Sequence, residues 1–411
     1  MKIQWKAVAA LTVASTSLSF ATYARVESMG KHDTYFMDDV SVWDNPANSN
    51  IYPNYLMGDL GQLHSTTVDT SNYKGLARYN RDPSNPWFGA VFAKSLGDSK
   101  STNRYPQITI GGAFNRDDEI LNYIGTNNAT GKNGSVETFS KLNKDSLPLK
   151  MDGMLGFATS NGMMFGLKAF GAGNEIQSAG HDSAIWVTRY TLGLNIPVTQ
   201  GVDFELAGGP NYISYTKDTA SYGTHGLGFD AHTRAFISAP IISGEIVPAA
   251  SIFITNPYNN SITDVKAGLG ANVSLDRGFF WIGADYVYHK EEHDGDNLYD
   301  STSKGVRVSF GIERNVWTDW LVLRVGGQKY MTFDRVHDTR NGAARKVESW
   351  NTNPINDGTT GDHVGFGIGI NVEDKLKVDA TMGEDLVFTG GGLLSGPSDH
   401  VFSRISATYS F

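Results

Sequence analysis

The sequence predicts an all-β protein: a transmembrane antiparallel β-barrel with sixteen candidate strands, preceded by a short segment outside the strand pattern. Three observations predict it. Long stretches alternate apolar and polar residues, tight turns alternate with longer polar connections, and the chain opens on an export leader. Composition agrees. The 411 residues include 46 Gly, 21 Phe, 18 Tyr and 8 Trp, together more numerous than the 34 Lys and Arg and 43 Asp and Glu. Charged residues make up 19%, below the roughly 25% of an ordinary soluble domain. Glycine and aromatics suit strands and turns and serve a helical bundle badly. The absence of cysteine excludes a disulfide framework, Cys-ligated zinc, an iron–sulfur cluster, a thiol nucleophile and an acylated lipoprotein anchor.

The leader comes first. Met1-Lys2-Ile3-Gln4-Trp5-Lys6 is basic, Ala7 to Ala21 carries no charge, and Ala21 and Ala24 are the small residues where a leader can be cut. About 15 apolar positions are too few to span a bilayer as a helix, so residues 1–24 read as a secretory signal peptide. Nothing later reaches 18 consecutive apolar residues. Losing Lys2 and Lys6 makes the exported chain more acidic than the −9 of the whole, which removes any basic footprint for nucleic acid. Export also argues against a cytoplasmic enzyme.

The alternation is clearest from Thr263 to Leu275. Val265, Ala267, Leu269, Ala271, Val273 and Leu275 share one face, and Asp264, Lys266, Gly268, Gly270, Asn272 and Ser274 the other. A period of two means a strand whose faces meet different surroundings. Val306, Val308, Phe310 and Ile312 repeat it, as do Leu227, Phe229, Ala231, Thr233, Ala235 and Ile237. The runs approach the 9–11 residues a tilted membrane strand needs, about twice a sandwich strand. Charges in mid-strand, such as Lys168, Arg189 and Arg324, fit a polar lumen.

Candidate strands begin near Tyr55, Trp87, Gln107, Asp152, Met163, Ser183, Val202, Gly226, Ile242, Thr263, Phe279, Gly305, Trp320, Val364, Leu376 and Val401. Ser160-Asn161-Gly162, Thr199-Gln200-Gly201, Ala239-Pro240-Ile241, Asp276-Arg277-Gly278, Asn315 to Asp319 and Glu373-Asp374-Lys375 are tight turns. Over the last twelve strands short and long connections read as strictly alternating, the layout of periplasmic turns and outer loops. Trp186, Trp281, Tyr286, Tyr288, Trp317, Trp320, Tyr330 and Tyr409 fall near strand ends, where an interfacial girdle needs aromatics. The last strand alternates Ile405, Ala407, Tyr409 and Phe411 with Arg404, Ser406, Thr408 and Ser410. Tyr409 and the terminal Phe411 resemble the insertion signal that the barrel-assembly machinery of bacterial outer membranes reads.

Residues 25–54 do not alternate. They carry Ser28-Met29-Gly30, Asp38-Asp39-Val40-Ser41-Val42-Trp43 and Asp44-Asn45-Pro46-Ala47-Asn48. By itself, Pro46 fixes its own backbone angle and pushes Asn45 toward an extended conformation, a kink or helix stop. The segment resembles the start of the FadL-like outer-membrane proteins, the long-chain fatty-acid transporter superfamily, which includes PorV-like accessory proteins of the type IX secretion system. The resemblance covers roughly thirty residues and the general layout. It implies a barrel of about 14 strands whose N-terminal segment folds inward as a plug or hatch. Met29 and Gly30 would mark the start of that plug, and Asn45, Pro46 and Ala47 its junction with the first strand. Lys31-His32-Asp33-Thr34-Tyr35 replaces the glycines and alanines usual after Met-Gly, so the family's ligand does not carry over. Together the readings give a barrel of 14–16 strands at residues 55–411, with a plug-like segment at 25–54; the runs at Tyr55 and Trp87 separate the two counts.

Motifs for catalysis or metal fail on spacing. His289-Lys290-Glu291-Glu292-His293 spells an inverted zinc-protease motif, but that chemistry needs both histidines one helical turn apart, and here they end a strand. Counted from Asp294, a Ca²⁺ loop wants Gly at position six and Glu at twelve; Tyr299 and Val306 stand there. Gly131-Lys132 lacks the spacing and the Ser or Thr of a phosphate loop. Gly365, Gly367 and Gly369 share one strand face opposite Val364, Phe366, Ile368 and Ile370, and read as close packing against a plug. No enzyme, metal or cofactor is expected.

The inward charges say more. Asp203, Glu205, Asp230, His232, Arg234, Glu245, Asp264, Lys266, Asp285, Arg307, Glu313 and Arg324 are placed in the lumen. They make either a hydrated selective passage or a salt-bridge network that holds a filled barrel. The expected function is passive transport of a small solute, hydrophobic in the FadL-like reading, across the outer membrane of a Gram-negative-type bacterium. The alternatives are a PorV-like partner of secretion or surface proteins, and a purely structural barrel.

Overall fold

The computed structural model describes residues 22–62, 86–97, 106–124, 129–130, 136–137, 147–178, 181–217, 220–222, 226–257, 260–293, 299–338, 345–351, 363–373, 375–382 and 402–411. The leader up to Ala21, the Gly131-Lys132 pair and Asp294 to Asn297 lie outside these residues.

Sixteen strands form one closed ring: β1 Tyr55–Gln62, β2 Trp87–Ser95, β3 Gln107–Phe114, β4 Leu149–Ala158, β5 Met164–Ser178, β6 His181–Thr199, β7 Val202–Lys217, β8 Leu227–Ala239, β9 Gly244–Thr255, β10 Asn260–Leu275, β11 Gly278–His293, β12 Tyr299–Asn315, β13 Leu321–Asp338, β14 His363–Val372, β15 Leu376–Met382 and β16 Phe402–Ser410. Each pairs antiparallel with the next, and β16 returns to β1 with Tyr55 opposite Ser410. The ring therefore has sixteen strands, not the fourteen implied by the resemblance, and the runs at Tyr55 and Trp87 are both members. Closure leaves no edge unpaired, which a sheet in hydrocarbon requires.

The alternation becomes inside and outside. On β4, Leu149, Met151, Leu155 and Phe157 are exposed on the outer face, while Lys150, Asp152 and Met154 are buried within. On β8, Leu227, Phe229 and Ile237 face out, and Asp230 and Arg234 face in. Two members of the expected girdle point the other way. Trp281 is fully buried within the ring, because the period of β11 puts Ile282 and Tyr286 on the outer face. Tyr330 shares the inner face with its register partner Arg307.

The expected strict alternation of connections also fails. The tight turns all lie at one end, but β5 and β6 join at the other end across only residues 179–180, with Ser178 opposite His181. The cause is strand length. β6 runs for 19 residues and β13 for 18, well past the roughly 10 that cross a bilayer, so the sheet continues beyond the lipid-facing band and consumes the loop. Arg345–Asn351 adds to this extension by pairing with Thr332 to Asp338 of β13.

Candidate functional site: the barrel interior

Two inserts fill the lumen. The first is the N-terminal segment. Helix α1, Tyr23–Ser28, is capped by Thr22, whose side chain accepts from Arg25 N, a bond worth about 1 kcal/mol. Gly30 ends it at φ 103, where a Cβ would crowd the Phe310 and Gly327 carbonyls at 3.1 and 3.2 Å. Asp38 caps the 3-10 turn Asp39–Trp43 through Val40 N. Asn45, extended as the residue before proline should be, caps the next turn, Pro46–Asn50, through Ala47 N. So Asn45-Pro46-Ala47 starts a turn rather than only stopping one. It sits against the β5–β6 wall: a Cβ on Gly166 would lie 2.2 Å from Pro46 C, and one on Gly193 2.2 Å from Asn45 Oδ1. Across the ring, Ser28 occupies the space that side chains on Gly365 and Gly367 would take.

The second insert is the connection from β3 to β4. Its 3-10 turn Glu119–Tyr123 is capped by Asp118. Ile120, Leu121, Ile124 and Leu147 pack on an apolar patch of the inner wall made by Phe170, Ala172, Ile185, Val187, Ile213, Tyr215 and Phe253. Tyr123 stacks on Phe253 at 4.6 Å and donates its hydroxyl to Asp264.

Ion pairs tie both inserts to the wall. Arg25 meets Asp38 at 2.9 Å and Glu313 at 2.5 Å; Arg324 joins Glu313 at 2.5 Å and Asp379 at 2.6 Å. Arg234 holds Glu205 at 2.7 Å and the Asp33 carbonyl at 2.8 Å. Arg307 holds Asp285, which also accepts from the Tyr35 hydroxyl. Asp118 accepts from Arg116 at 2.8 Å and from Lys168 and Arg189 at 2.9 Å, and Arg189 continues to Asp230 at 2.6 Å. Lys168 links the inserts, since it also donates to the Trp43 carbonyl. Burial pushes the Asp118 carboxyl up, but Lys168, Arg189 and Arg116 outweigh it and hold it well below the usual carboxylate range.

All twelve charges placed in the lumen by sequence lie on inner faces. Eight meet one another or their neighbours directly: Glu205 with Arg234, Asp285 with Arg307, Glu313 with Arg324, Asp230 with Arg189, and Asp264 with His289 at 2.7 Å. Asp203, His232, Glu245 and Lys266 share the interior. Sequence reasoning missed Arg25, Asp38, Asp118 and Asp379. A usable signal existed for Asp118: Ile120-Leu121 and Ile124 put a hydrophobic group two residues beyond it in the connection between two strands. His289 and His293 lie on one continuous strand, so no helix brings them together, and no metal-ligating cluster of His, Asp or Glu occurs among the described residues.

A closed ring with an apolar outer face, a charged inner face and a terminal strand that seals it defines the class: an outer-membrane-type β-barrel. No protein-family model and no curated protein matches the chain. Among solved structures it is similar to CdiB from Escherichia coli, at 9% identity and TM-score 0.41 over 87% of this chain and 63% of that one. It is similar also to a TodX deltaS2S3 mutant, a monoaromatic hydrocarbon channel, at 11% and 0.31 over 95% and 99%. A third is the ferric enterobactin receptor PfeA of Pseudomonas aeruginosa, at 8% and 0.27 over 87% and 81%. The chain thus spans less than two thirds of CdiB.

Proposed function

We propose that the protein is a passive, gated passage for a small hydrophobic solute in the outer membrane, with residues 22–54 as its plug. The observation that carries this reading is the apolar patch from Phe170 to Phe253 on the lumen side of β5 to β9. The β3–β4 insert covers this patch, and once the insert shifts, a hydrophobic solute crossing an otherwise ionic interior meets the apolar surface it needs. Both inserts then act as stoppers that must shift for passage. The test is flux of a hydrophobic dye and of ions into liposomes, for the full chain and for a chain lacking residues 22–54. Flux rising in the truncated chain supports the reading; a folded, inserted barrel with neither flux nor ligand binding in either form refutes it.

The paired charges that fill the lumen favour a second reading, a static barrel that serves as a PorV-like partner for secretion or surface proteins. That reading predicts co-purifying partners lost when residues 335–361 are replaced, and a clean pull-down removes it. No enzymatic activity or cofactor is proposed under either.

A further inference from the structure

Ala21 and Ala24 are equivalent leader ends by sequence, since Ser19-Phe20-Ala21 and Thr22-Tyr23-Ala24 both place small residues at the two positions that processing needs. The fold separates them. Thr22 and Ala24 are fully buried within the ring. The Thr22 hydroxyl donates to Asp379 Oδ2 at 3.0 Å while its carbonyl accepts from Arg25 N at 2.9 Å. Ala24 N donates to Ser406 Oγ at 3.3 Å, and the Ala24 carbonyl accepts from Thr381 Oγ1 at 2.8 Å. The Tyr23 ring meets Trp87 edge-on at 5.6 Å with the Arg404 guanidinium over it, and its hydroxyl accepts from Arg116 at 3.2 Å. Three residues that a cut after Ala24 would discard are thus bound to β2, β15, β16 and the β3–β4 connection.

We propose that leader peptidase cuts after Ala21, and that the α-ammonium released on Thr22 lies beside the Asp379 carboxylate that the Thr22 hydroxyl already meets. Water adds across the Ala21–Thr22 amide: its oxygen goes to the Ala21 carbonyl, which leaves as a carboxylate, and both its protons end on the neutral Thr22 nitrogen, which becomes an ammonium. Processing thereby adds a cation to the ion-pair network that seats α1, which makes the unprocessed chain a weaker barrel than the mature one. This inference does not depend on what the barrel transports.

Intact-mass and N-terminal peptide analysis of the protein extracted from outer membranes tests the cut. A chain beginning at Thr22 is expected; one beginning at Arg25, or at any other residue, overturns the proposal. Barrels refolded in detergent from chains starting at Thr22 and at Ala21 test the amine. The added residue moves the charge, so the Ala21 chain should unfold at a lower temperature on heated gel electrophoresis, and Asp379→Asn should narrow the gap. Equal midpoints for the two unsubstituted chains also overturn it.

Discussion

The two inserts in the lumen combine the same kinds of contact in different proportion. Toward the tight turns, the N-terminal segment sets Arg25 against Glu313, gives the Asp33 carbonyl to Arg234 and the Tyr35 hydroxyl to Asp285, and buries Met29, Tyr35, Phe36 and Trp43 against Phe236, Val247, Trp281 and Trp87. Toward the loops, the β3–β4 insert lays Ile120, Leu121 and Ile124 on the Phe170 patch and carries more ionic anchors, Asp118 on Lys168 and Arg189 and Arg116 on Asp152. The difference bears on reversibility. Apolar contact is non-directional and can be exchanged for another apolar surface, whereas a buried ion pair that loses one partner leaves the other stranded. In the passage proposed above, the apolar contacts of each insert are what a hydrophobic solute exchanges for, and the ion pairs at Arg25 and Asp118 are what resists the exchange.

The comparison breaks most readily at Asp118, because Lys168, Arg189 and Arg116 all rest on it. Asp118→Ala strands buried cations and is expected to destabilise the barrel by about 3–5 kcal/mol, read as a lowered urea midpoint in detergent. Leu121→Ala in the same insert removes only apolar contact and should cost less, about 2–3 kcal/mol, near the low end for a large-to-small core change. If the two substitutions weigh equally, the ionic layer is not what fixes this insert.

A smaller effect probes the seat of the N-terminal segment. Gly193→Ala drives a methyl into Asn45 and Ala47 and should cost about 1–3 kcal/mol through overpacking. Gly153→Ala meets open space and is the matched control, expected within about 0.5 kcal/mol of the native barrel. The Gly193 variant should also raise ion leak through the lumen in planar bilayers. A leak no larger than the control's would show that Asn45-Pro46-Ala47 can lift from the wall without opening a path.

Much of the barrel was legible because lipid and lumen impose opposite demands on successive residues. The starts read at Tyr55, Trp87, Gln107, Val202 and Leu376 are the observed ones, and Asp230, Glu205 and Arg307 face inward as their period requires. Trp281 was misplaced because the residue type was weighed above the phase of its own strand. The closeness of Ser178 to His181 was missed because alternation marks the lipid-facing band, and the band ends before the strands do. Arg25, Asp38 and Asp118 lie in segments with no period, so only three-dimensional packing reveals their partners.

The N-terminal segment also carries a pair of opposed titrations, His32 and Asp33. Both residues are half-buried, yet His32 Nε2 and Asp33 Oδ2 are covered and have no hydrogen-bond partner among the described residues. Burial, then Arg307 and Lys266, keeps His32 well below its ordinary value of 6.5. Burial pushes Asp33 up to about 7 against the pull of Arg234, with Asp44 and Asp38 adding to the rise. A carboxyl raised on folding favours the folded state below its unfolded pKa, about 4, and that contribution fades as the pH climbs toward 7. A histidine lowered on folding does the reverse: its contribution is full above about pH 6.5 and fades as the pH falls. Between about pH 4 and 6.5 the two slopes offset, so the native barrel should show a nearly flat unfolding midpoint there. Asp33→Asn should uncover the histidine, with stability falling as the pH drops from 6.5. His32→Gln should uncover the carboxyl, with stability falling as the pH rises from 4 to 7. Each slope should amount to about 1 kcal/mol over its window, since water screens half-buried groups. A pH series of midpoints for the three chains decides it, and three parallel profiles would mean that this stretch titrates in contact with bulk water and does not seal the lumen.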